Sequence, residues 1–177
     1  MVAAARLTVW AGGAAALLAA GFIAALAFTG ERPEPGLERF HPAGVLAAWP
    51  TGDIASVEIV AGAERRLFRR GPAGAWVGAG SNTAQRIETG LTLLRNTAPQ
   101  RIFAAGEIDH GGLAEFALDP PRLTVIARTR TGKTVTIWFG DVNPLGLARY
   151  AQTDSSPEVL LLPSYVAAAW EEIATPQ

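Results

Sequence analysis

Two short runs of β-branched and apolar residues, separated by a polar turn, are the clearest pattern in the chain. They cover residues 123–129 and 134–139, with the turn at residues 130–133, and this arrangement is typical of a β-hairpin. Pro120 and Pro121 precede the first run. Because proline cannot donate a ladder hydrogen bond, the first strand is expected to begin after them. Apolar and polar residues alternate along both runs, which predicts one face in a core and one face partly open.

Upstream of the hairpin, the pattern predicts further strands and one helix. A helix is expected after the capping residues 81–83, running to about residue 96. Ile87, Leu91 and Leu94 recur there at the spacing that buries one helix face. The expected strands are residues 54–60, 64–70, 76–77 and 101–104.

Downstream of the hairpin, the same order is repeated loosely. Residues 147–153 and 158–162 predict strands, and a second helix is expected from about Ser164, with Val166 and Trp170 on its apolar side. Hairpin, extra strand and helix therefore occur twice. The expected fold class is α+β, with antiparallel sheet and two helices in loosely repeated units.

An almost uninterrupted apolar run covers residues 7–28. As a helix it would be ~33 Å long, enough to cross a hydrocarbon core of ~30 Å. Arg6 precedes the run, and positive charge on the short N-terminal side favours a cytoplasmic N-terminus and an exported remainder. We expect a transmembrane anchor over residues 1–30, a juxtamembrane linker over residues 31–53 and an extracytoplasmic domain over residues 54–177.

The rival interpretation of the apolar run is a cleaved signal peptide. Residues 25–27 read Ala-Leu-Ala, which resembles a signal-peptidase site. The run is longer than the roughly 7 to 15 apolar residues usual for a signal peptide, and this favours the anchor.

Small residues recur every fourth position inside the run, at Gly12, Ala16, Ala20 and Ala24. A helix face made of small side chains lets a second membrane helix approach closely, so these residues are candidate contacts with a partner helix. The alternative explanation is that alanine is simply abundant in this segment.

Charge and composition exclude several classes of function. The formal net charge is −1, so the chain carries no strong field for binding nucleic acid. It has no cysteine, which excludes disulfides, thiolate metal sites, iron–sulfur ligation and cysteine nucleophiles.

Two loops contain residue types that occur in ligand sites. The turn at residues 78–81 precedes a helix and could hold a phosphate, but it lacks the third glycine of a dinucleotide site and the Gly-Lys-Ser/Thr ending of a P-loop. A plain turn with a capping box between Asn82 and Gln85 explains it better. Glu107, Asp109 and His110 could bind a metal only with a further ligand from elsewhere; polarity of a surface loop is favoured.

No nucleophile elbow and no zinc-protease motif is present in the sequence. We therefore predict no catalytic residues, no metal ligands, no cofactor and no enzymatic activity. A basic cluster at Arg65, Arg66, Arg69 and Arg70 is interpreted as a charged edge strand that is protected from aggregation. The alternatives are binding of lipid head groups or of a partner's acidic surface.

From about Ser56 to its end, the chain carries an ordered series of short motifs. They are a charged strand leading to a tryptophan (Arg69 to Trp76), a helix ending in Leu94 with Arg101 after it, Phe116-Ala117-Leu118-Asp119-Pro120-Pro121, Phe139-Gly140-Asp141 and Arg149-Tyr150. In this series the chain resembles the bacterial family named domain of unknown function 4340. Ala117 stands where that family has glycine, so the turn there departs from the family pattern.

The resemblance implies a membrane-anchored extracytoplasmic protein without assigned catalytic residues, located in the bacterial inner membrane with its folded domain in the periplasm. Some longer members occur with ABC-type transport systems of the gliding-motility auxiliary kind, which is an association and not a mechanism.

The expected function is therefore that of a non-catalytic accessory or scaffold protein of an envelope complex, which binds other membrane or periplasmic proteins and no nucleic acid. Its binding surface is expected on the open face of the hairpin, where Arg128 and Trp138 point. The alternative is a periplasmic module that binds a peptide or glycan through Trp76, Trp138 and Tyr150.

Overall fold

The computed structural model describes residues 43–108 and 112–175. They form an α+β domain with one antiparallel sheet and two helices, which confirms the expected fold class. The strands are β1 (Ile54–Ala61), β2 (Glu64–Arg70), β3 (Trp76–Val77), β4 (Arg101–Phe103), β5 (Leu123–Thr129), β6 (Thr134–Val142), β7 (Ala148–Thr153) and β8 (Ser156–Pro163). The helices are α1 (Ser81–Asn96) and α2 (Ser164–Ala174), and short 3-10 turns cover Thr51–Asp53, Ala105–Glu107 and Gly112–Phe116.

The predicted hairpin lies in the middle of the sheet. The strand order is β3-β2-β1-β5-β6-β7-β8-β4, so β5 joins the first three strands to the last four. Leu123 pairs with Phe139 and Ala127 pairs with Val135. The second strand of the hairpin continues beyond the predicted end to Val142, through a register shift after Phe139. A shift of this kind bends a strand and ends its regular alternation.

Both helices cover one face of the sheet and enclose the main core. Alternate residues of the central strands point towards the helices, as their period of two requires. The core includes Val57, Ile59, Val125, Ile137 and Phe139 from the sheet, Ile87, Leu91 and Leu94 from α1, and Val166, Trp170 and Ile173 from α2.

The opposite face is covered only at the β6–β8 end, by the segment around the 3-10 turn Gly112–Phe116. The ring of Phe116 contacts the ring of Tyr150 at a centroid distance of 4.7 Å. Gly140 of β6 leaves no room for a side chain, because the carbonyl group of Phe116 lies against it. Leu118, Ala148 and Val159 are buried there, outside the main core.

The packed domain includes residues that the sequence analysis assigned to the linker. The backbone N–H groups of Gly44 and Leu46 donate to the carbonyl groups of Arg95 and Leu94, each at 3.0 Å. The Leu46 side chain is 1% exposed and belongs to the core. The last carbonyl groups of a helix need donors from outside it, and this segment supplies two at the end of α1.

No helix in residues 43–108 and 112–175 is long and apolar enough to cross a membrane. The predicted anchor at residues 7–28 lies outside the described residues, together with its small-residue face at Gly12, Ala16, Ala20 and Ala24.

The two helices approach each other most closely where Gly90 of α1 meets Trp170 of α2. A Cβ atom on Gly90 would lie 2.7 Å from both Cε2 and Cζ2 of the Trp170 ring, well inside normal contact distance. The Trp170 side chain is fully buried, so it has little freedom to move away.

We therefore expect Gly90→Ala to lower the free energy of unfolding by about 1 kcal/mol. Alanine gains roughly 1 kcal/mol over glycine in helix propensity, but overpacking a core costs roughly 1–3 kcal/mol, and the second effect is the larger one here. Urea unfolding followed by tryptophan fluorescence measures the difference. Gly52→Ala is the matched control, because its Cβ would meet open space. A Gly90→Ala protein as stable as the original would contradict this packing.

Ala117 adopts a backbone conformation that usually belongs to glycine. Its φ is +52°, in the left-handed region that costs a residue with a side chain roughly 1–2 kcal/mol. The resemblance described above implies glycine at this position, and the alanine that stands there has a glycine-like backbone conformation.

Ala117→Gly is expected to raise the free energy of unfolding by about 0.5 kcal/mol, since the relieved strain exceeds the roughly 0.5–1 kcal/mol entropic cost of glycine. Ala114→Gly, in the preceding 3-10 turn, should instead lower it. The denaturant midpoints of the two variants measure these changes in stability. If Ala117→Gly is less stable than the original protein, the backbone at Ala117 is not strained.

Candidate binding surface

The face of β2, β1, β5 and β6 that points away from the helices has no covering segment among the described residues, and we call it the open face. Its side chains are Arg65, Leu67, Arg69, Ser56, Glu58, Val60, Thr124, Ile126, Arg128, Thr134, Thr136 and Trp138. Strand pairing arranges them in rows that cross the sheet. Ser56 lies opposite both Arg69 and Arg128, and Glu58 lies opposite both Leu67 and Ile126.

Apolar side chains of the open face are only partly covered. Leu67 is 48% exposed, and Val60, Ile126 and Trp138 are half-buried. Apolar groups that a domain leaves in contact with water mark interaction surfaces when they lie together and are bordered by polar residues. The open face has this composition.

The charges of the open face are mostly positive. Nη1 of Arg65 lies 2.9 Å from Oε1 of Glu58, the face's one carboxylate. Arg69 and Arg128 have no ion-pair partner within residues 43–108 and 112–175, and Nε of Arg128 donates to the Thr134 hydroxyl at 3.2 Å. An anionic partner would therefore find two unneutralised guanidinium groups here.

The two residues predicted for partner binding, Arg128 and Trp138, both lie on the open face. Trp138 pairs with Thr124 and Arg128 pairs with Thr134, so they are four positions apart along the hairpin, or about 13 Å at the strand rise. They can contribute to one extended surface, but not to one pocket. Their role in binding stays a prediction.

The basic cluster of β2 is divided between the two faces of the sheet. Arg65 and Arg69 point to the open face, whereas Arg66 and Arg70 point towards the helices. Nη1 of Arg66 donates to the Ile173 carbonyl at 3.1 Å, near the end of α2. The four arginines therefore form no single patch for an anion, and the strand alternation is the physical reason.

Arg70 is a structural residue at a junction of several elements. Only 9% of its side chain is exposed. Its Nε donates to the Ile54 carbonyl at 3.0 Å and its Nη1 donates to the Gly74 carbonyl at 2.9 Å. Nη1 also lies 2.6 Å from Oε1 of Glu88, and the guanidinium group sits 4.3 Å from the ring centroid of Trp76. Trp76 completes the cluster by donating from Nε1 to the same carboxylate oxygen at 2.8 Å.

The aromatic residues considered for a peptide or glycan site are not brought together. Trp76 is 6% exposed, contrary to the expectation that it is available to a ligand, because Arg70 and Glu88 cover it. Tyr150 packs against Phe116. Among the three, Trp138 alone lies on the open face.

The start of α1 differs from the predicted capping box. The helix begins at Ser81 after Gly80, and no side chain caps it. Asn82 lies inside the first turn, where its Oδ1 accepts a hydrogen bond from Nε of Arg86 at 3.3 Å. The preceding β3 is antiparallel to β2, so residues 78–81 do not belong to the strand–turn–helix unit that dinucleotide sites use.

The candidate metal cluster lies only partly within the described residues. Glu107 accepts a hydrogen bond from the Ala104 N–H at 2.9 Å, which serves its local turn, and Asp109 and His110 lie outside. Within residues 43–108 and 112–175, no three His, Asp or Glu side chains are grouped as metal ligands.

An open groove runs along the outer side of the two helices, with a cavity volume of about 400 Å³. It is lined by Asn82, Gln85, Arg86, Thr89, Tyr165, Ala168, Ala169 and Glu172. Nη1 of Arg86 lies 2.7 Å from Oε2 of Glu172, so an ion pair joins the two helices there. The groove is polar, unlike the mostly apolar pockets that bind small ligands.

Comparison with known families gives one match. Residues 85–172 match the family model described as "Domain of unknown function (DUF4340)", which confirms the family resemblance. The matched region runs from within α1 to within α2 and contains the central hairpin. No curated protein and no solved structure matches the chain.

The contacts of Arg70 lead us to expect that its replacement destabilises the domain. Arg70→Met should lower the free energy of unfolding by about 2 kcal/mol, because it removes the donor to the Ile54 and Gly74 carbonyl groups and leaves Glu88 with Trp76 but without its cation. Arg70→Lys should recover little of this loss, since an ammonium group cannot reproduce the guanidinium fork. The matched control is Arg69→Met, at the neighbouring exposed position, with an expected change within about 0.5 kcal/mol. Equal effects of Arg69→Met and Arg70→Met in urea unfolding would rule out the special role of Arg70.

Proposed function

We propose that this chain, which belongs through residues 85–172 to the DUF4340 family, is a non-catalytic accessory or scaffold protein of a bacterial envelope complex. It acts by binding another protein through the open face of its sheet. The observation that carries the proposal is the composition of this face, in which partly exposed apolar side chains adjoin arginines without acidic partners.

The shape of the open face suits a protein better than a small molecule. Four paired strands present it as an extended surface, and their hydrogen-bonded ladder holds that surface in place before binding. Protein interfaces are extended surfaces that combine apolar and aromatic contacts with arginine. Leu67, Ile126, Trp138 and Arg128 supply these contacts on three different strands.

A membrane location is the second part of the proposal. The apolar run at residues 7–28 is long enough to span a bilayer, and Arg6 favours a cytoplasmic N-terminus. An anchored domain in the periplasm meets partners that are themselves membrane or periplasmic proteins. The association of some family members with ABC-type transport systems makes such a system one candidate complex.

The groove between α1 and α2 favours one second candidate, a periplasmic module that binds a peptide or glycan. Tyr165 is 56% exposed beside this groove, and an exposed aromatic ring can stack on a sugar or peptide group. The polar lining and the separation of Trp76, Trp138 and Tyr150 make this the weaker candidate.

Site-specific photo-crosslinking in living cells tests the main proposal. A photoreactive amino acid at Thr136, in the middle of the open face, should yield a discrete protein adduct in the membrane fraction. The same amino acid at Tyr165, on the helix side, serves as the matched control and should yield none. The physical reason is that a partner seated on the open face touches only the first position.

Two outcomes would contradict the proposal. An adduct from Tyr165 alone would move the binding surface to the groove and favour the ligand module. If neither position yields an adduct while the protein is in the membrane fraction, the proposal that this domain binds another protein is wrong. Recovery of the intact protein in the soluble fraction would reject the anchor.

A further inference from the structure

Two arginines frame a small residue on the open face. Ser56 on β1 lies between Arg69 on β2 and Arg128 on β5, in one row across the sheet. Adjacent strands are about 4.8 Å apart, so the Cα atoms of the two arginines are about 10 Å apart. Both arginines are exposed and Ser56 is half-buried. The serine side chain between the two arginines is short, and Nε of Arg128 donates to the Thr134 hydroxyl on β6. We call this row the arginine cradle.

The charge of the cradle is not neutralised within the part of the chain that the structure describes. Six arginines in this part have a carboxylate within 4.0 Å, namely Arg65, Arg70, Arg86, Arg101, Arg122 and Arg149. Arg69 and Arg128 are not among them, and the nearest carboxylate in the neighbouring row, Glu58, is taken by Arg65. The cradle therefore offers two guanidinium groups to an external anion.

Two apolar side chains, Leu67 and Ile126, lie in the row next to the cradle, on either side of Glu58. Leu67 and Ile126 are two positions along their strands from Arg69 and Arg128, and they flank Glu58 as the arginines flank Ser56. A ligand that places an anionic group in the cradle would bring its neighbouring groups onto these two side chains. A ligand that uses this whole surface therefore needs both an anionic group and apolar groups.

We propose that the arginine cradle binds carboxylate side chains of an acidic, apolar-containing segment of the partner protein. This inference rests on the proposed function and specifies the partner's chemistry. Each guanidinium group can donate two parallel hydrogen bonds to a carboxylate, and the Ser56 hydroxyl can donate a further one. The apolar residues of the segment then cover Leu67 and Ile126.

A protein segment fits this surface better than an anionic membrane does. The chain has a formal net charge of −1, so no long-range field draws it to a negative surface. Among the described residues of the open face, Leu67 is the one exposed apolar side chain, and Val60, Ile126 and Trp138 are half-buried, so the face offers little apolar surface for entering a lipid layer. Glu58 neutralises Arg65 on this face, so the unneutralised positive charge is confined to the cradle, which offers sites for individual carboxylates and no continuous basic surface for a lipid layer.

Calorimetric titration of the purified full-length protein tests the inference. The probe is a short synthetic peptide in which glutamate and leucine are separated by serine, and the reference peptide carries glutamine in place of glutamate. The glutamate peptide should bind at least about tenfold more tightly, because charge-assisted hydrogen bonds are roughly twice as strong as neutral ones.

The matched variants carry the same change in charge at different places. Arg69→Gln with Arg128→Gln should weaken binding of the glutamate peptide by about tenfold or more. Arg101→Gln with Arg122→Gln, two exposed arginines outside the open face, should leave it unchanged. Circular dichroism and urea unfolding verify that both double variants are folded.

Each remaining outcome overturns the inference. If the glutamate and glutamine peptides bind equally tightly, the site does not recognise carboxylates. If the Arg69/Arg128 variant binds the glutamate peptide as tightly as the original protein does, the peptide binds at another site. If vesicles of phosphatidylglycerol and phosphatidylcholine in equal parts bind through the cradle while the peptide does not, the ligand is a lipid surface. Crosslinking from Thr136 does not depend on charge. An adduct that persists in the Arg69/Arg128 variant would therefore support the proposed function and contradict carboxylate binding by the cradle.

Discussion

The buried guanidinium group of Arg70 is the interaction on which the first half of the domain depends. Its Nη2 donates to the Thr51 carbonyl in the 3-10 turn before β1, at 3.4 Å. It also donates to carbonyl groups of β1 and of the β2–β3 turn, and it pairs with Glu88 of α1. Gly74 is four positions from Arg70 along the chain, whereas Thr51 and Ile54 are 19 and 16 positions away. A planar group with five donors satisfies several carbonyl groups at once, which no apolar residue could do. The edge of the sheet and the helix layer are therefore attached by polar contacts.

The second constraint is the unequal covering of the sheet. The helices cover the central strands on one face, but the segment before β5 covers the other face only at the β6–β8 end, where Phe116 lies on Gly140 and Tyr150. The strands β2, β1 and β5 keep one face in contact with water. Because the same strands are anchored in the core by Val57, Ile59 and Val125, the open face is rigid without a ligand, and rigidity lowers the entropic cost of binding.

Local patterns predict the elements well, because strands and helices have short periods and clear ends. The hairpin, α1 and the start of α2 at Ser164 follow from residues close in sequence. The role of Arg70 could not be predicted this way, since it depends on Glu88 and Ile54, which become its neighbours only in the folded domain. The docking of Leu46 and the burial of Trp76 are also non-local. The placement of Arg128 and Trp138 on one face was predictable from alternation, but the position of Ser56 between two arginines requires the strand order β2-β1-β5.

The four arginines of β2 show how one strand serves structure and binding together. Alternation directs Arg66 and Arg70 to helix-side carbonyl groups and leaves Arg65 and Arg69 on the open face. A slip of one residue in the register would exchange the two pairs, placing Arg69 in the core and removing the donor of the junction. The many contacts of Arg70 therefore oppose such a slip. By holding the register of β2, the buried arginine also determines where Arg69 stands relative to Ser56 and Arg128, so the geometry of the open face depends on a residue on the opposite side of the sheet.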